Sequence, residues 1–234
     1  MPDTIANNKR IAKNTFVLYL RMIFVLLVSL YSTRAILNAL GVEDYGIYNV
    51  VAGFVSMFAF LNSSMTNTIQ RYFNFERGNN NYKGLNRVYI TSIQIQVVLG
   101  VVTISLLEII GMWYMNSKMV IPIERLTAAK YVFHFSVISL LMLILQIPYS
   151  ASVIAHEKMG FYAVVSMIEA VLKLVVAIYL PFISYDRLIY YGLFILIISF
   201  INVTLYYLYA KRNFAEIIYR HVFFKEQFKI MLSF

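Results

Sequence analysis

The sequence predicts an all-α integral membrane protein built as a six-transmembrane-helix bundle. Three observations carry that expectation. Of 234 residues, 61% are hydrophobic and 13% charged, and the mean hydropathy is +0.72. Soluble domains carry about 25% charged residues, so this chain has too little polar surface to cover a water-exposed domain. The apolar runs are continuous, not alternating, which selects helices over barrel strands. Finally, the 20 Lys and Arg against 11 Asp and Glu give a net charge of +9, concentrated between the apolar runs.

A helix crossing a bilayer needs about 20 mainly apolar residues, and six stretches qualify. Thr15–Leu37 comes first. Lys9, Arg10 and Lys13 precede it as in a signal peptide, but the run is too long for a signal core and no A-x-A site follows, so it is retained. Thr33–Gly53 closes this run and opens the next through a short polar hinge, Gly41–Gly46, which reads as a helical hairpin. Ile47–Gln70 is the second span, with a polar back half that includes Asn62, Ser63, Ser64 and Thr66. Val88–Met112 is the third. Phe133–Ile154 is the fourth, where Pro148 removes a backbone donor and predicts a kink beside Gln146. Phe161–Phe182 and Leu188–Tyr209 complete the set. The second and third connections have room for short interfacial helices. Residues 1–209 form the bundle, and 210–234 a basic amphipathic tail or link.

Orientation follows from the basic residues. Arg34, Lys118, Arg125, Lys130 and Arg187 fall on one side, Arg21 and Lys173 lie inside spans, and the remaining thirteen fall on the other side. The richer side is cytoplasmic, which puts both termini there. Tyrosines near span ends, and Trp113, fit interfacial belts.

Charges inside hydrocarbon mark a pathway or a partner. Arg21 shares a helix face with Asn14 and Ser32 at 100° per residue. It reads either as the cationic wall of a hydrophilic cavity or as an arginine that snorkels or pairs. Arg34 points roughly opposite and is expected to snorkel or to pair with Glu43 or Asp44. Glu169 and Lys173 are four apart, glutamate first, the favourable order for an intrahelical pair. At mid-span neither reaches water, so both face protein or a wet cavity. Glu108 shares a face with Gln94 and Ser105, a stripe that lines a lumen or cements packing. Asn62 and its polar neighbours suit close helix contact or a vestibule. The substrate-cavity candidates are Arg21, Asn62, Gln94, Glu108, Glu169 and Lys173.

With no cysteine, disulfides, thiol catalysis and Cys-ligated metal are excluded. His134, His156 and His221 are scattered, and no Gly-rich phosphate loop, carboxylate pair or metal spacing occurs. The expectation is no metal, no cofactor, no enzymatic activity and no nucleic-acid partner.

Three segments resemble a known family. LGVEDYGIYNVVAG (Leu40–Gly53), IPYSASVIAHEKMGFYAVVSMIEAVLKL (Ile147–Leu174) and FKEQFKIMLSF (Phe224–Phe234) are similar to the Wzx-type polysaccharide transporters, flippases of the multidrug/oligosaccharidyl-lipid/polysaccharide exporter superfamily. The resemblance implies a multi-pass protein of the bacterial inner membrane in polysaccharide or lipopolysaccharide biosynthesis. It implies transport of an undecaprenyl-diphosphate-linked oligosaccharide between leaflets by alternating access, coupled to an ion, with membrane lipid around it. It carries a cavity role onto Arg21 by position, and none onto Glu169 or Lys173. Family members have two six-helix lobes; this chain matches the N-terminal one. A missing second lobe is therefore expected, the alternative being a half-transporter that acts as a homodimer. The competing functions are an ion-coupled multidrug exporter and a membrane enzyme of the same pathway. The stretch Trp113–Tyr131 is short and plain for the latter.

Overall fold

The reversal of the chain at Gly41 organises the architecture. The structure, a computed structural model, is described for the backbone of residues 2–232 and for the side chains of 8–9, 11–59 and 63–232. Every regular element among these residues is helical. Helix α1 covers Pro2–Ser56, and a 3-10 turn, Met57–Ala59, joins it to α2, Phe60–Gly78. Helix α3, Tyr82–Leu106, continues through a π turn, Leu107–Gly111, into α4, Met112–Ser117. Then follow α5 (Leu126–Ala155), α6 (Met159–Tyr179), α7 (Arg187–Asn213) and α8 (Lys225–Leu232).

Among the described residues five helical segments are long and apolar enough to cross a membrane: Ile11–Gly78, Tyr82–Ser117, Ile123–Ala155, Met159–Phe182 and Arg187–Asn213. The chain thus has the character of a multi-pass helical membrane protein. Six separate spans are expected from the sequence, and among the described residues five continuous helical segments of membrane length are found. The first two expected spans share one segment, because the polar stretch Val42–Gly46 stays helical. Only Gly41 departs from helical angles, at φ 80° and ψ 169°. That conformation is open to glycine and costly for other residues.

Contacts on either side of Gly41 run in opposite directions. Before it, Arg21 meets Tyr162 at the start of α6, and Ile36 and Ala39 meet Ala177 and Leu180 at its end. After it, Asp44 meets Arg125 at the start of α5, and Arg77 of α2 donates to the Ala155 carbonyl at the end of α5. Helices α5 and α6 are joined by a tight turn at His156–Lys158 and so run antiparallel. The two arms of α1 therefore run antiparallel as well.

The core sits in two main clusters. Near the Gly41 end, Val51, Val55, Leu107, Val132, Phe133 and Leu188 interdigitate. Gly111 permits this approach, since a Cβ there would lie 2.4 Å from the Phe133 ring. Toward the other end, Ile69, Phe73, Val88, Ile95, Ile147 and Tyr206 pack together. Large apolar side chains such as Phe16, Leu26, Leu30, Val101 and Ile109 point outward. A surface of that kind suits hydrocarbon rather than water. Pro148 lies buried inside α5 without ending it.

Of the two connections with room for short helices, the third carries α4 and a 3-10 turn, Ile123–Arg125, while the second is taken up by the longer flanking helices α2 and α3. The tail returns along α3. The Asn86 side chain donates to the Glu216 and Ile218 carbonyls at 2.7 Å, and Met231 of α8 is buried in the second cluster. His156 donates from Nδ1 to the Ser152 carbonyl at 2.9 Å, while its Nε2 lies 3.1 Å from Glu216 Oε1 and Phe214 stacks on its ring. Burial pushes the Glu216 carboxyl up. The His156 hydrogen bond, a backbone hydrogen bond and the charges of His156 and Arg77 outweigh it, leaving the group below its ordinary value.

Two outcomes are expected. Gly41→Ala meets open space, so its cost is purely conformational; unfolding in detergent should show a loss of about 1–3 kcal/mol, and an unchanged transition would deny the strained turn. Glu216 has a lowered folded value, so its contribution is complete above about pH 4.5 and is lost as pH falls through that lowered value. Limited proteolysis at Arg220 should find the wild-type tail protected at neutral pH and released in acid. Glu216→Gln should weaken docking by about 2 kcal/mol at neutral pH and flatten the acid response.

Candidate functional site

Polar side chains on four helical elements converge inside the bundle. On α5, Ser136, Ser139 and Gln146 follow helical spacing and face inward. On α6, Glu169 and Lys173 do the same, and on α7, Ser199 and Asn202. Together with Tyr48 and Ser56 of α1 they line a cavity of about 370 Å³. A second cavity, about 300 Å³, shares Gln146, Glu169 and Lys173 and adds Arg21, Ser29, Tyr162, Ser166 and Tyr206. A third, about 860 Å³, shares Arg21, Val25, Ser29 and Tyr162 with the second and is otherwise walled mainly by Leu18, Met22, Leu26, Ile154 and Met159. The three adjoin in a row. An apolar vestibule leads past one arginine into a polar chamber.

Arg21 stands at the junction. Its guanidinium carbon lies 4.6 Å from the Tyr162 ring centroid, within cation–π range. Its Nε is buried and has no hydrogen-bond partner among the described residues. Deeper in, Lys173 Nζ donates to Glu169 Oε1 at 2.6 Å, and both side chains remain roughly two-fifths exposed to the cavities, at 43% and 36%. Ser139 Oγ and Asn202 Oδ1 are also buried without protein partners. Arg21, Lys173 and Glu169 are the formal charges on the walls, which leaves the cavity net positive. Among the described residues no group of three or more His, Asp or Glu could hold a metal ion.

The sequence candidates divide. Arg21, Glu169 and Lys173 meet at this cavity, and the i,i+4 pair forms. Gln94 does not join them; its amide donates to the Val222 carbonyl of the tail at 2.8 Å. Glu108 sits in the π turn and pairs with His134 Nδ1 at 3.0 Å. Ser105 donates to its own helix at Val101. The expected Gln94–Ser105–Glu108 stripe is thus split between the tail, α3 itself and α5. Asn62 falls among the side chains outside the described residues. Asp44, one of the two acids offered to Arg34 beside snorkelling, belongs to Arg125, which also holds Asp186. Ser136, Ser139, Ser199, Asn202, Tyr162 and Tyr206 escaped the sequence reading. The spacing of Ser136, Ser139 and Gln146, at steps of three and seven, was the available signal.

No family model matches the chain, and neither a curated protein nor a solved structure matches it.

A double-mutant cycle on Glu169→Gln and Lys173→Met, read by thermal unfolding in detergent, should give a coupling of about 0.5 kcal/mol, the scale of a partly exposed i,i+4 pair. Strictly additive effects would mean the two groups do not hold each other in solution.

Proposed function

We propose that this chain is the N-terminal six-helix lobe of a Wzx-type flippase. Its cargo is a lipid-linked oligosaccharide, carried on undecaprenyl diphosphate, moved between leaflets of a bacterial inner membrane for polysaccharide or lipopolysaccharide synthesis. The observation that carries this reading is the row of three cavities. An amphiphile with an anionic headgroup has the matching layout. Its chain suits the apolar vestibule, its diphosphate suits Arg21, and its sugar hydroxyls suit the serines, Gln146 and Asn202.

The reversal at Gly41 supports counting Ile11–Gly78 as two crossings, which makes six with the other four segments. Both ends of the bundle chain then lie on one side, and the distribution of Lys and Arg assigns that side to the cytoplasm. In this reading the diphosphate approaches Arg21 through a charge-assisted hydrogen bond to the free Nε. Lys173, held by Glu169, tunes the positive charge of the chamber. Passage requires rocking against a second body, either a second lobe or a second copy. The work is translocation, with no bond made or broken.

The size and apolar walls of the vestibule also favour a second reading, an ion-coupled multidrug exporter of the same superfamily. One experiment separates them. The chain, alone and with a supplied second lobe, is placed in vesicles holding a fluorescent polyprenyl-diphosphate disaccharide, and loss of signal to an external quencher is timed. Wild type should flip it, and Arg21→Glu should slow flipping about tenfold or more with insertion unchanged. Efflux of a cationic dye without flipping would favour the exporter. Flipping indifferent to Arg21→Glu would remove this arginine from the pathway.

A further inference from the structure

At the Gly41 end of the seam between α1 and α6 lies a separate cavity of about 360 Å³. Its walls are Tyr31, Arg34 and Asn38 of α1 against Ala177 and Ile178 of α6 and Pro181 in the 3-10 turn that follows it, Leu180–Phe182. Tyr31, Arg34 and Asn38 stand at steps of three and four and so share one helix face. By rotation that face lies on the opposite flank of the seam from Arg21, so this cavity is no extension of the central row. All three polar side chains can donate hydrogen bonds, and no acidic side chain lines the cavity.

The surrounding charges leave Arg34 without an internal counter-ion. Glu43, the nearest acid by sequence, is exposed and forms no ion pair among the described residues, and Asp44 is taken by Arg125 together with Asp186. Arg187 spends its guanidinium on the Ala39 and Pro181 carbonyls, at 3.2 and 3.1 Å, which braces both walls of the cavity. Among the described residues Arg34 has no ion-pair partner. It lies about 10 Å below Gly41 at 1.5 Å per residue, where exposed apolar side chains such as Leu27 and Leu30 give way to the polar cluster around Asp44. In a membrane-spanning helix such a change from apolar to polar surface is where the hydrocarbon meets the headgroups.

We infer that this cavity is a binding site for the phosphate of an anionic membrane lipid, with Arg34 as its charged anchor and Tyr31 and Asn38 as supporting donors. The acyl chains lie along the exposed apolar face of α1 beside it, where Leu27 and Leu30 point outward. The site is independent of the transport reading, and either can fail alone.

The test places the full chain in phosphatidylcholine nanodiscs containing phosphatidylglycerol with a diazirine in its headgroup. Illumination and peptide mapping then locate the label. Labelling should concentrate on peptides spanning 30–41 and 176–183. Arg34→Gln should cut it about tenfold, and Arg34→Lys should restore part of it. Asn38→Leu should lower it with the charge intact, which guards against a misfolded Arg34 variant. Labelling that ignores both Arg34→Gln and Asn38→Leu would overturn the site. Equal competition by free inorganic phosphate and by unlabelled phosphatidylglycerol would overturn the lipid as its occupant.

Discussion

Arg125 holds the bundle together at one end. Its Nε donates to Asp44 Oδ1 at 2.7 Å and its Nη1 to Asp186 Oδ2 at 2.8 Å, so one guanidinium spans two carboxylates. Asp44 opens the second arm of α1, Arg125 precedes α5, and Asp186 caps α7 by accepting from the Leu188 and Ile189 amides. Three elements that line the central cavity thus start from one fixed point. The guanidinium fork imposes direction as well as attraction. With the starts fixed, Ser136, Ser139 and Asn202 arrive at matching depths, and the polar chamber needs no loop to assemble it.

Between membrane-spanning helices, apolar contact contributes less to association than it does in water. Lipid is as apolar as leucine, so side-chain burial does little to drive helices together. Close fit and buried polar contacts remain. Gly111 lets α3 meet Phe133, and the tail is held by Asn86, Gln94 and the His156–Glu216 pair. At the opposite end from Arg125, those contacts turn a basic tail into part of the core.

Much of the fold was legible because hydropathy reports length directly. Four of the five membrane-length segments contain one expected span each, shifted at their ends by up to about three turns. The merging of the first two was not legible, because a glycine can turn a chain without ending its helix, and composition suggested a polar loop. Within the site, Glu169 and Lys173 were readable since an i,i+4 pair is local. Arg125 with Asp44, 81 positions away, and Glu108 with His134, 26 away, were not. Both depend on which helices become neighbours, and one sequence does not state that. The packing role of the Gln94–Ser105–Glu108 stripe has the same origin. Gln94 has the right rotation for a lumen, yet the returning tail occupies the space it faces.

The continuity of α1 through Val42–Gly46 bears on how the molecule could be mapped from outside. A hairpin whose turn is one residue offers no slack. A protease needs several extended residues to seat a strand, and an inserted epitope needs a stretch that belongs to no helix. Residues 42–46 supply neither, since they already form the first turns of the next helix. The non-helical stretch Met119–Pro122 supplies both at the same end of the bundle. Cleavage and tagging would then report the connection before α5, and the sharper reversal at Gly41 would stay silent to both.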